Sequence, residues 1–190
     1  ANIILNIYNL LLNLLVREKS YDLEIYRAEE IEKIIGIEDF LAKWVSEQPI
    51  SLNKTFQFLK WRLGAPGKKY NIVIAKKDEK VIGYSVFLET IKENIPSIAL
   101  LDVSFLKGHS GSSTLIHNFI SKYANKREIE SIIIMASSNT YKKHNMRKSG
   151  FIKSPYQFSF ILKNLSKEHS NSFLKNEKNW HLMWIDSDNL

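Results

Sequence analysis

The chain has 190 residues, a formal net charge of +7 and no cysteine. Its length allows one domain of ordinary size, or one domain with an appendage, and a hydrophobic fraction of 44% is typical of a soluble globular protein. The absence of cysteine excludes disulfides and thiolate metal sites and is typical of a cytoplasmic protein. The 27 lysines and arginines are spread along the sequence without a dense basic block, so no nucleic-acid partner is predicted.

The most hydrophobic segment, Ile3 to Val16, is shorter than the ~20 apolar residues that span a bilayer. It also lacks the basic region and small-residue cleavage site of a signal peptide. Three asparagines recur in it at helical spacing, which predicts an amphipathic helix packed against a large surface. We therefore expect a connector or docking element over residues 1–20, packed on an upstream domain or a second copy of the chain. We expect residues 21–190 to form the folded domain.

The remaining sequence alternates segments of strand and helix character, recognised by period-two alternation, β-rich runs and helical apolar spacing. In chain order these are a strand over Tyr21–Tyr26, helices over Ala28–Ile35, Glu38–Ser46 and Ser51–Leu63, strands over Tyr70–Ala75, Val81–Leu88 and Ile98–Leu106, a helix over Thr114–Ala124, a strand over Ile132–Ala136, a helix over Asn139–Lys148, and one or two strands within Phe151–Lys163. Residues 166–179, rich in serine, asparagine and lysine, are predicted to form a long loop. This order predicts a three-layer α/β domain with a mixed sheet.

Three of these predictions are specific. The run Lys76–Lys80 joins two β-rich segments, which indicates a hairpin. The continuous apolar run Ile132–Ala136 predicts a strand that is buried on both faces. The helix that precedes the hairpin is expected to be anchored by the aromatic rings of Phe56, Phe58 and Trp61.

A loop rich in glycine and serine separates the strand Ile98–Leu106 from the helix that follows. It reads Lys107-Gly108-His109-Ser110-Gly111-Ser112-Ser113-Thr114. A strand, a small-residue loop and a helix start can present backbone N–H groups to a phosphate. The sequence therefore favours residues 107–113 as a phosphate cradle, although the same composition also suits an ordinary flexible connection.

Together with Asn139 and Gly150-Phe151, this loop resembles the acyl-CoA-binding core of the GNAT superfamily of N-acetyltransferases. In that family the loop follows the pattern R/Q-x-x-G-x-G/A, and Lys107 stands at its first position. The resemblance implies a mostly antiparallel GNAT-like sheet flanked by helices, with acetyl-CoA or another acyl-CoA as cosubstrate and no metal. CoA would bind residues 107–113 and Asn139 and would lie between the fourth and fifth strands. The acceptor would be a small-molecule amine, such as an amino sugar.

Two positions depart from the family pattern. Ser110 stands at the first glycine, where a left-handed conformation costs a non-glycine residue about 1–2 kcal/mol, so the loop is expected to follow another path. Met146 stands where the family commonly has the tyrosine that protonates the departing CoA thiolate. Methionine has no proton to give, so Tyr141, His144 or another group would have to fill that role.

Two carboxylates are candidates for the general base of an acyl transfer. Asp102 lies in an apolar run, where burial would raise its pKa towards a useful range. Glu89 lies at the end of the preceding strand. The alternative for Asp102 is a structural hydrogen bond to a neighbouring group. The five histidines share no metal-binding spacing, so no metal site is predicted.

The C-terminal stretch Trp180–Asp188 resembles the motif W-x-L-T-x-G-D-S-D that closes one group of GNAT-like proteins, many of them found beside cell-surface polysaccharide genes. In that group a stretch like this chain is commonly the second, degenerate of two GNAT-like halves. In an extended segment Asp186 and Asp188 would share one face and could bind an amine, sugar hydroxyls or a cation. The alternative is a tail pinned by the burial of Trp180 and Trp184.

Two functions follow from the resemblance. The first is an acyl-CoA-dependent N-acyltransferase, or the degenerate half of one, in which an amine attacks the thioester directly. The second is a non-catalytic module that binds a ligand or stabilises a partner. The residues Asn139 and Gly150-Phe151 favour the first function, whereas Met146 and the altered glycine positions favour the second.

Overall fold

Five strands form one sheet whose spatial order follows the order of the sequence. The computed structural model describes residues 21–156, 161–165, 168 and 170–187. The strands are β1 (Asp22–Arg27), β2 (Tyr70–Lys77), β3 (Lys80–Lys92), β4 (Ile95–Phe105) and β5 (Ser131–Ile134). Neighbours from β1 to β4 are antiparallel, and β5 runs parallel to β4. The predicted α/β domain with a mixed, mostly antiparallel sheet is confirmed.

Helices cover both faces of this sheet. They are α1 (Ile37–Ser46), α2 (Phe56–Leu63), α3 (Ser113–Lys126), α4 (Ser138–Lys143) and α5 (Asn171–Lys175). The ring of Phe40 in α1 packs against Tyr84, and the ring of Tyr123 in α3 packs against Phe87, with centroids 5.6 and 5.1 Å apart. Because side chains alternate along a strand, Tyr84 and Phe87 project to opposite faces of β3, so α1 and α3 form the two outer layers.

The predicted hairpin between β2 and β3 is confirmed. Asp78 and Glu79 form its two-residue turn with φ of 49° and 61°. This left-handed pair matches the right-handed twist of the strands on either side.

A β-bulge interrupts the pairing of β3 with β4. Val86 pairs with Asp102 and Phe87 pairs with Leu100, so Leu101 has no residue opposite it. Bulges re-aim side chains and are frequent beside functional sites. This bulge sets the direction of the Asp102 side chain, which is fully buried.

The last strand differs from its prediction. Residues of β5 are half-buried rather than buried on both faces, and the strand ends at Ile134. Within the described part of the chain, β4 is its only neighbour in the sheet, so one edge of β5 has no strand beside it. Of the predicted strands within Phe151–Lys163, residues 151–156 and 161–163 contain none, and residues 157–160 lie outside the described chain.

Two further predictions are corrected. Residues 170–179 are not a loop, because Ser170 caps α5 by accepting a hydrogen bond from the Phe173 N–H at 3.1 Å, and Asn176 caps a 3₁₀ turn that follows. Ser170 and Asn176, two of the residues that suggested a loop, are therefore helix caps. Trp61 is not an anchor, since 70% of its side chain is exposed. The helix predicted over residues 3–16 lies outside the described residues.

No helix among the described residues has the length and apolar character to cross a bilayer.

A close contact between Gly83 and a buried ring provides a test of the sheet. A Cβ atom at Gly83 would lie 2.4 Å from two ring atoms of Phe105, so Gly83→Ala should lower the free energy of unfolding by about 1–3 kcal/mol. Gly111→Ala is the matched control, because nothing lies within 4 Å of a Cβ there. Urea unfolding of both variants measures the effect, and equal midpoints would contradict the packing described.

Candidate functional site

The site is built around the point where β4 and β5 part. The two strands pair from Ser97 and Ser131 to Leu100 and Ile134. Beyond that register β5 ends, whereas β4 continues to Phe105. The parting leaves a gap between the C-terminal ends of the two strands.

The chain fills this gap with its own C-terminal tail, residues 180–187. On one side the Ser137 N–H donates to the Leu182 carbonyl at 3.0 Å. On the other side the His181 N–H donates to the Ile50 carbonyl, and the Ile50 N–H donates to the Asn179 carbonyl, both at 3.0 Å. The tail is thus bonded along both edges, to the segment before α4 and to the segment that follows α1.

Alternate residues of the tail are buried. His181, Met183 and Ile185 are 3%, 2% and 1% exposed, whereas Trp180 and Trp184 are half-buried. Trp180 and Met183 have extended backbone, which accounts for the alternation up to Met183. Residues Trp184–Asp186 then form a 3₁₀ turn in which Ile185 is buried. The side chains of His181, Met183 and Ile185 are more deeply buried than the two tryptophans, which the sequence did not indicate.

A buried ion cluster joins the tail to β4. The Lys54 ammonium lies 2.9 Å from Oδ2 of Asp102 and 3.2 Å from Oδ1 of Asp186, and all three side chains are at most 4% exposed. The Tyr84 hydroxyl also donates to Asp102. The closing Asp186 therefore binds an amine, as one sequence interpretation proposed, but the amine is the chain's own Lys54.

The two carboxylates of the cluster differ in their proton affinity. Burial raises the pKa of Asp102, but the Lys54 ammonium, the neighbouring His181 ring and the hydrogen bond from Tyr84 outweigh burial and bring the pKa below its usual value. The expected rise in this pKa was wrong, because no local pattern indicates that a lysine 48 residues away is buried beside Asp102. Burial raises the pKa of Asp186, against the opposing effect of Lys54.

Two histidines lie beside this cluster. Nε2 of His181 is 3.7 Å from Oδ1 of Asp102, and the His181 ring packs on Trp44 and His144 at centroid distances of 4.8 and 5.8 Å. Burial lowers the pKa of His181 to about 4 and lowers that of His144 well below its usual value. Both imidazoles are therefore neutral at physiological pH. Sequence reasoning missed His181 as a site residue, because it lies 79 positions from Asp102 along the chain.

The loop of residues 107–113 follows a path that avoids strain. Gly108 takes the left-handed conformation with φ of 88°, whereas residues Ser110–Ser112 form a 3₁₀ turn that leads into α3. Ser110 therefore adopts no left-handed conformation. The Ser113 hydroxyl donates to the His144 carbonyl at 2.7 Å, which ties the loop to the end of α4.

A cavity of about 280 Å³ lies at the mouth of the gap, beside the loop. It brings together Lys107 and Asn139, two of the predicted cofactor-binding residues. Its remaining lining is Glu47, Gln48, Pro49, Lys143, Lys178, Asn179, Trp180 and His181. Three lysines make the cavity suitable for an anion. A larger cavity of about 390 Å³ beside Ile37 and Phe56 has three carboxylates and no cation in its lining, so it does not suit a phosphate.

Two contacts occupy groups that a phosphate-bearing ligand would use. The Glu47 carboxylate accepts the Lys107 N–H at 2.6 Å. Asn139 donates from Nδ2 to the carbonyls of Lys178 and Trp180 at 3.0 and 3.3 Å, so its amide holds the backbone around the start of the tail. Both contacts lie at the cavity.

The other predicted site residues lie elsewhere. Glu89 pairs with Ile98 across the sheet, seven positions before Phe105, which places it roughly 23 Å from the C-terminal end of β4. There it accepts the Tyr123 hydroxyl at 2.6 Å. Met146 is fully buried, and Tyr141 donates its hydroxyl to the Phe151 carbonyl at 2.8 Å. No group of three or more metal-ligating side chains occurs among the described residues.

No protein-family model matches the sequence, and no curated protein matches it significantly. Solved structures match its fold. An aminoglycoside acetyltransferase from an uncultured soil metagenomic sample is 12% identical with a TM-score of 0.55, covering 77% of this chain and 99% of that one. A GNAT family acetyltransferase from Staphylococcus aureus is 16% identical with a TM-score of 0.50, covering 75% and 99%. The chain has the GNAT fold.

Two further structures with this fold act on different amines by their descriptions. Ribosomal-protein-alanine N-acetyltransferase from Brucella melitensis is 10% identical with a TM-score of 0.55, covering 76% of this chain and 99% of that one. Glucosamine-6-phosphate N-acetyltransferase from Arabidopsis thaliana is 12% identical with a TM-score of 0.52, covering 76% and 100%. Identities this low establish the GNAT fold alone.

Removing Lys54 tests the ion cluster. Lys54→Met leaves Asp102 and Asp186 buried without their cation, so we expect the free energy of unfolding to fall by about 3–5 kcal/mol. Lys60→Met is the control, because its pair with Glu32 at 2.5 Å is exposed and should contribute less than about 1 kcal/mol. Urea denaturation compares the two, and similar losses would show that the cluster is not structural.

The buried histidines predict a loss of stability in acid. Burial lowers the pKa of His117 to about 3 and that of His181 to about 4, and it lowers that of His144 as well. In the unfolded chain each takes up a proton near pH 6.5. The unfolded state therefore binds more protons as the pH falls below about 6.5, and stability drops by up to about 1.4 kcal/mol per pH unit for each histidine.

Urea midpoints at about pH 7 and about pH 5 measure this dependence. His117→Gln is the informative variant. It should remove about a third of the pH dependence of the unfolding free energy that the three histidines contribute. A midpoint that stays constant over this range would contradict the burial of neutral imidazoles.

Proposed function

We propose that this domain binds an acyl-CoA and works in acyl transfer to a small-molecule amine. The observation that carries the proposal is the parting of β4 and β5, with the loop of residues 107–113 and the lysine-lined cavity at its mouth. CoA phosphates are multiply charged anions, and the N-terminus of α3 together with Lys107, Lys143 and Lys178 offers them positive charge.

The reaction would be direct attack of the amine nitrogen on the thioester carbonyl. The thioester is supplied by the acyl-CoA, which enters as a cosubstrate. The residues of the chain would bind its phosphates, orient the acyl group at the cavity and receive a proton from the amine. Asp102 and Glu89 were the bases suggested by sequence, but both carboxylates are engaged by other side chains of the chain.

The acceptor class rests on the comparisons. The similar structures are described as acetyltransferases of aminoglycosides, of a ribosomal protein alanine and of glucosamine 6-phosphate, and all of these acceptors carry an amine. Two of the three are amino sugars. We infer an amino sugar as the first acceptor to test.

A second candidate is a non-catalytic module, or the degenerate half of a two-domain acyltransferase with residues 1–20 as its connector. The tail that fills the gap favours this candidate, as does the Glu47 carboxylate on the Lys107 N–H. In that case the partner half would bind the acyl-CoA. The absence of cysteine from the sequence supports a reducing compartment for either function, and we propose the cytoplasm.

Calorimetry with acetyl-CoA on the full chain tests the proposal. We expect micromolar binding, weakened by Ser110→Asp, because a carboxylate in the loop repels phosphate. Glu47→Gln should tighten binding, because it removes a negative charge from the cavity. Glu79→Gln is the matched control, since Glu79 is exposed in the turn between β2 and β3.

Acetyl-CoA binding that is weakened by Ser110→Asp and tightened by Glu47→Gln supports the acyltransferase. No heat of binding at millimolar acetyl-CoA would contradict it and favour the non-catalytic module.

A further inference from the structure

Lys143 is the lysine of the cavity that the fold partly encloses. It is the last residue of α4 and stands four positions after Asn139, so the two side chains lie on one face of that helix. Both line the 280 Å³ space. The other two lysines of the lining, Lys107 and Lys178, are exposed, whereas Lys143 is half-buried. The side chain of Lys143 is therefore partly removed from water.

A neutral group holds the Lys143 amine. Its Nζ donates to Oε1 of Gln48 at 2.8 Å. Nε2 of Gln48 in turn donates to the Trp44 carbonyl at 3.1 Å, which fixes the orientation of the amide. Gln48 also lines the cavity. The amine is thus held in the wall of this space by a group that carries no charge.

The surroundings of Lys143 favour the unprotonated amine. Within the part of the chain that the structure describes, Lys143 makes no ion pair with a carboxylate, in contrast to the buried Lys54. Burial lowers the pKa of Lys143, and the nearby Glu47 carboxylate opposes this shift. A lysine whose pKa is lowered by loss of water is unprotonated, and so nucleophilic, in a larger fraction of molecules.

We propose that Lys143 is a site of self-acylation, at which its amine takes the acyl group of an acyl-CoA bound at the cavity. The inference rests on the proposed function for its acyl donor. It goes beyond that function, because the acceptor is a side chain of the protein rather than a small molecule. The proposed function orients an acyl group at this cavity, and Lys143 is the half-buried amine in its wall.

The reaction balances without a further reagent. The Lys143 ammonium first gives one proton to solvent and becomes a neutral amine. Its nitrogen forms a C–N bond to the acyl carbon, the C–S bond breaks, and the electron pair leaves on the CoA sulfur. The nitrogen then loses a second proton, which the thiolate takes up. The products are free CoA and an N-acyl-lysine.

Acylation would change the charge of the cavity. An N-acyl-lysine is neutral, so Lys107 and Lys178 would remain as the lysine cations of a lining that also contains the Glu47 carboxylate. A modified chain should therefore bind a further acyl-CoA more weakly. Self-acylation at Lys143 would in this way limit its own extent.

The test follows acetylation of the folded full chain during incubation with acetyl-CoA. Fragmentation mass spectrometry resolves Lys143 from Lys142, which is the matched internal control because it is the preceding residue of the same helix and is exposed. We expect Lys143 to react about tenfold faster than Lys142. The rate at Lys143 should saturate as the acetyl-CoA concentration rises, whereas that at Lys142 should rise linearly. In concentrated urea the two lysines should react equally, because the difference comes from the fold.

Two substitutions of Lys143 separate its charge from its reactivity. Lys143→Arg keeps the positive charge without the amine, so it should bind acetyl-CoA within about twofold of the parent chain and lose the saturable phase of acetylation. Lys143→Gln removes the charge, as acylation does, and should weaken binding by about fivefold in calorimetry. Equal affinities of the two variants would contradict the expected effect of the modification on the cavity.

A neighbouring carboxylate tests whether the neutral amine is the reacting form. Glu47 opposes the loss of a proton from Lys143. At saturating acetyl-CoA, Glu47→Gln should therefore raise the rate of Lys143 acetylation by about two- to fivefold. Glu79→Gln is again the control, since Glu79 is exposed in the turn between β2 and β3. Equal rates in these two variants would contradict attack by the neutral amine.

Calorimetry distinguishes failure of this inference from failure of the proposed function. If acetyl-CoA binds but Lys143 reacts no faster than Lys142, self-acylation is overturned and the proposed ligand stands. A preference that persists in urea, or a saturable phase that survives Lys143→Arg, has the same consequence. No heat of binding at millimolar acetyl-CoA overturns the proposed function itself, and with it the acyl donor for Lys143.

Discussion

The pairing of Lys54 with two buried carboxylates constrains the rest of this structure. Charges of this kind are stable inside a protein only when each has a partner. Lys54 comes from the segment before α2, Asp102 from β4 and Asp186 from the tail, so one ammonium ties together three parts of the chain. Each of the three charges would destabilise the fold if it were buried without a partner. The tail therefore lies in the gap between β4 and β5, where Asp186 shares the Lys54 ammonium with Asp102.

This constraint shapes the candidate site. The β-bulge aims Asp102 at the cluster, and the tail then brings His181 to the same carboxylate. The tail occupies the gap, and the accessible space beside it is the lysine-lined cavity next to Glu47. The GNAT fold thus contains a buried ion cluster where β4 and β5 part.

The sequence predicted the elements whose signals are local. The turn at Asp78 and Glu79 and the strand–loop–helix unit around Gly108 were recognised from spacing and composition. The burial of β5 was overestimated, because an apolar run does not reveal how many strands will cover it. Lys54 and His181 were missed for a related reason. A lysine or histidine far along the chain carries no local sign that it will be buried beside Asp102.

The central claim is that the tail fills the gap between the C-terminal ends of β4 and β5 as a fixed part of the domain. Amide hydrogen exchange measures this directly through the N–H groups of Ile50, Ser137 and His181, which bind across the tail. The structure predicts protection of these three amides close to that of the core strands, since they should open only with the whole domain. Exchange at the rate of the exposed turn at Asp78 and Glu79 would show that the tail leaves the gap freely, and would contradict this description of the site.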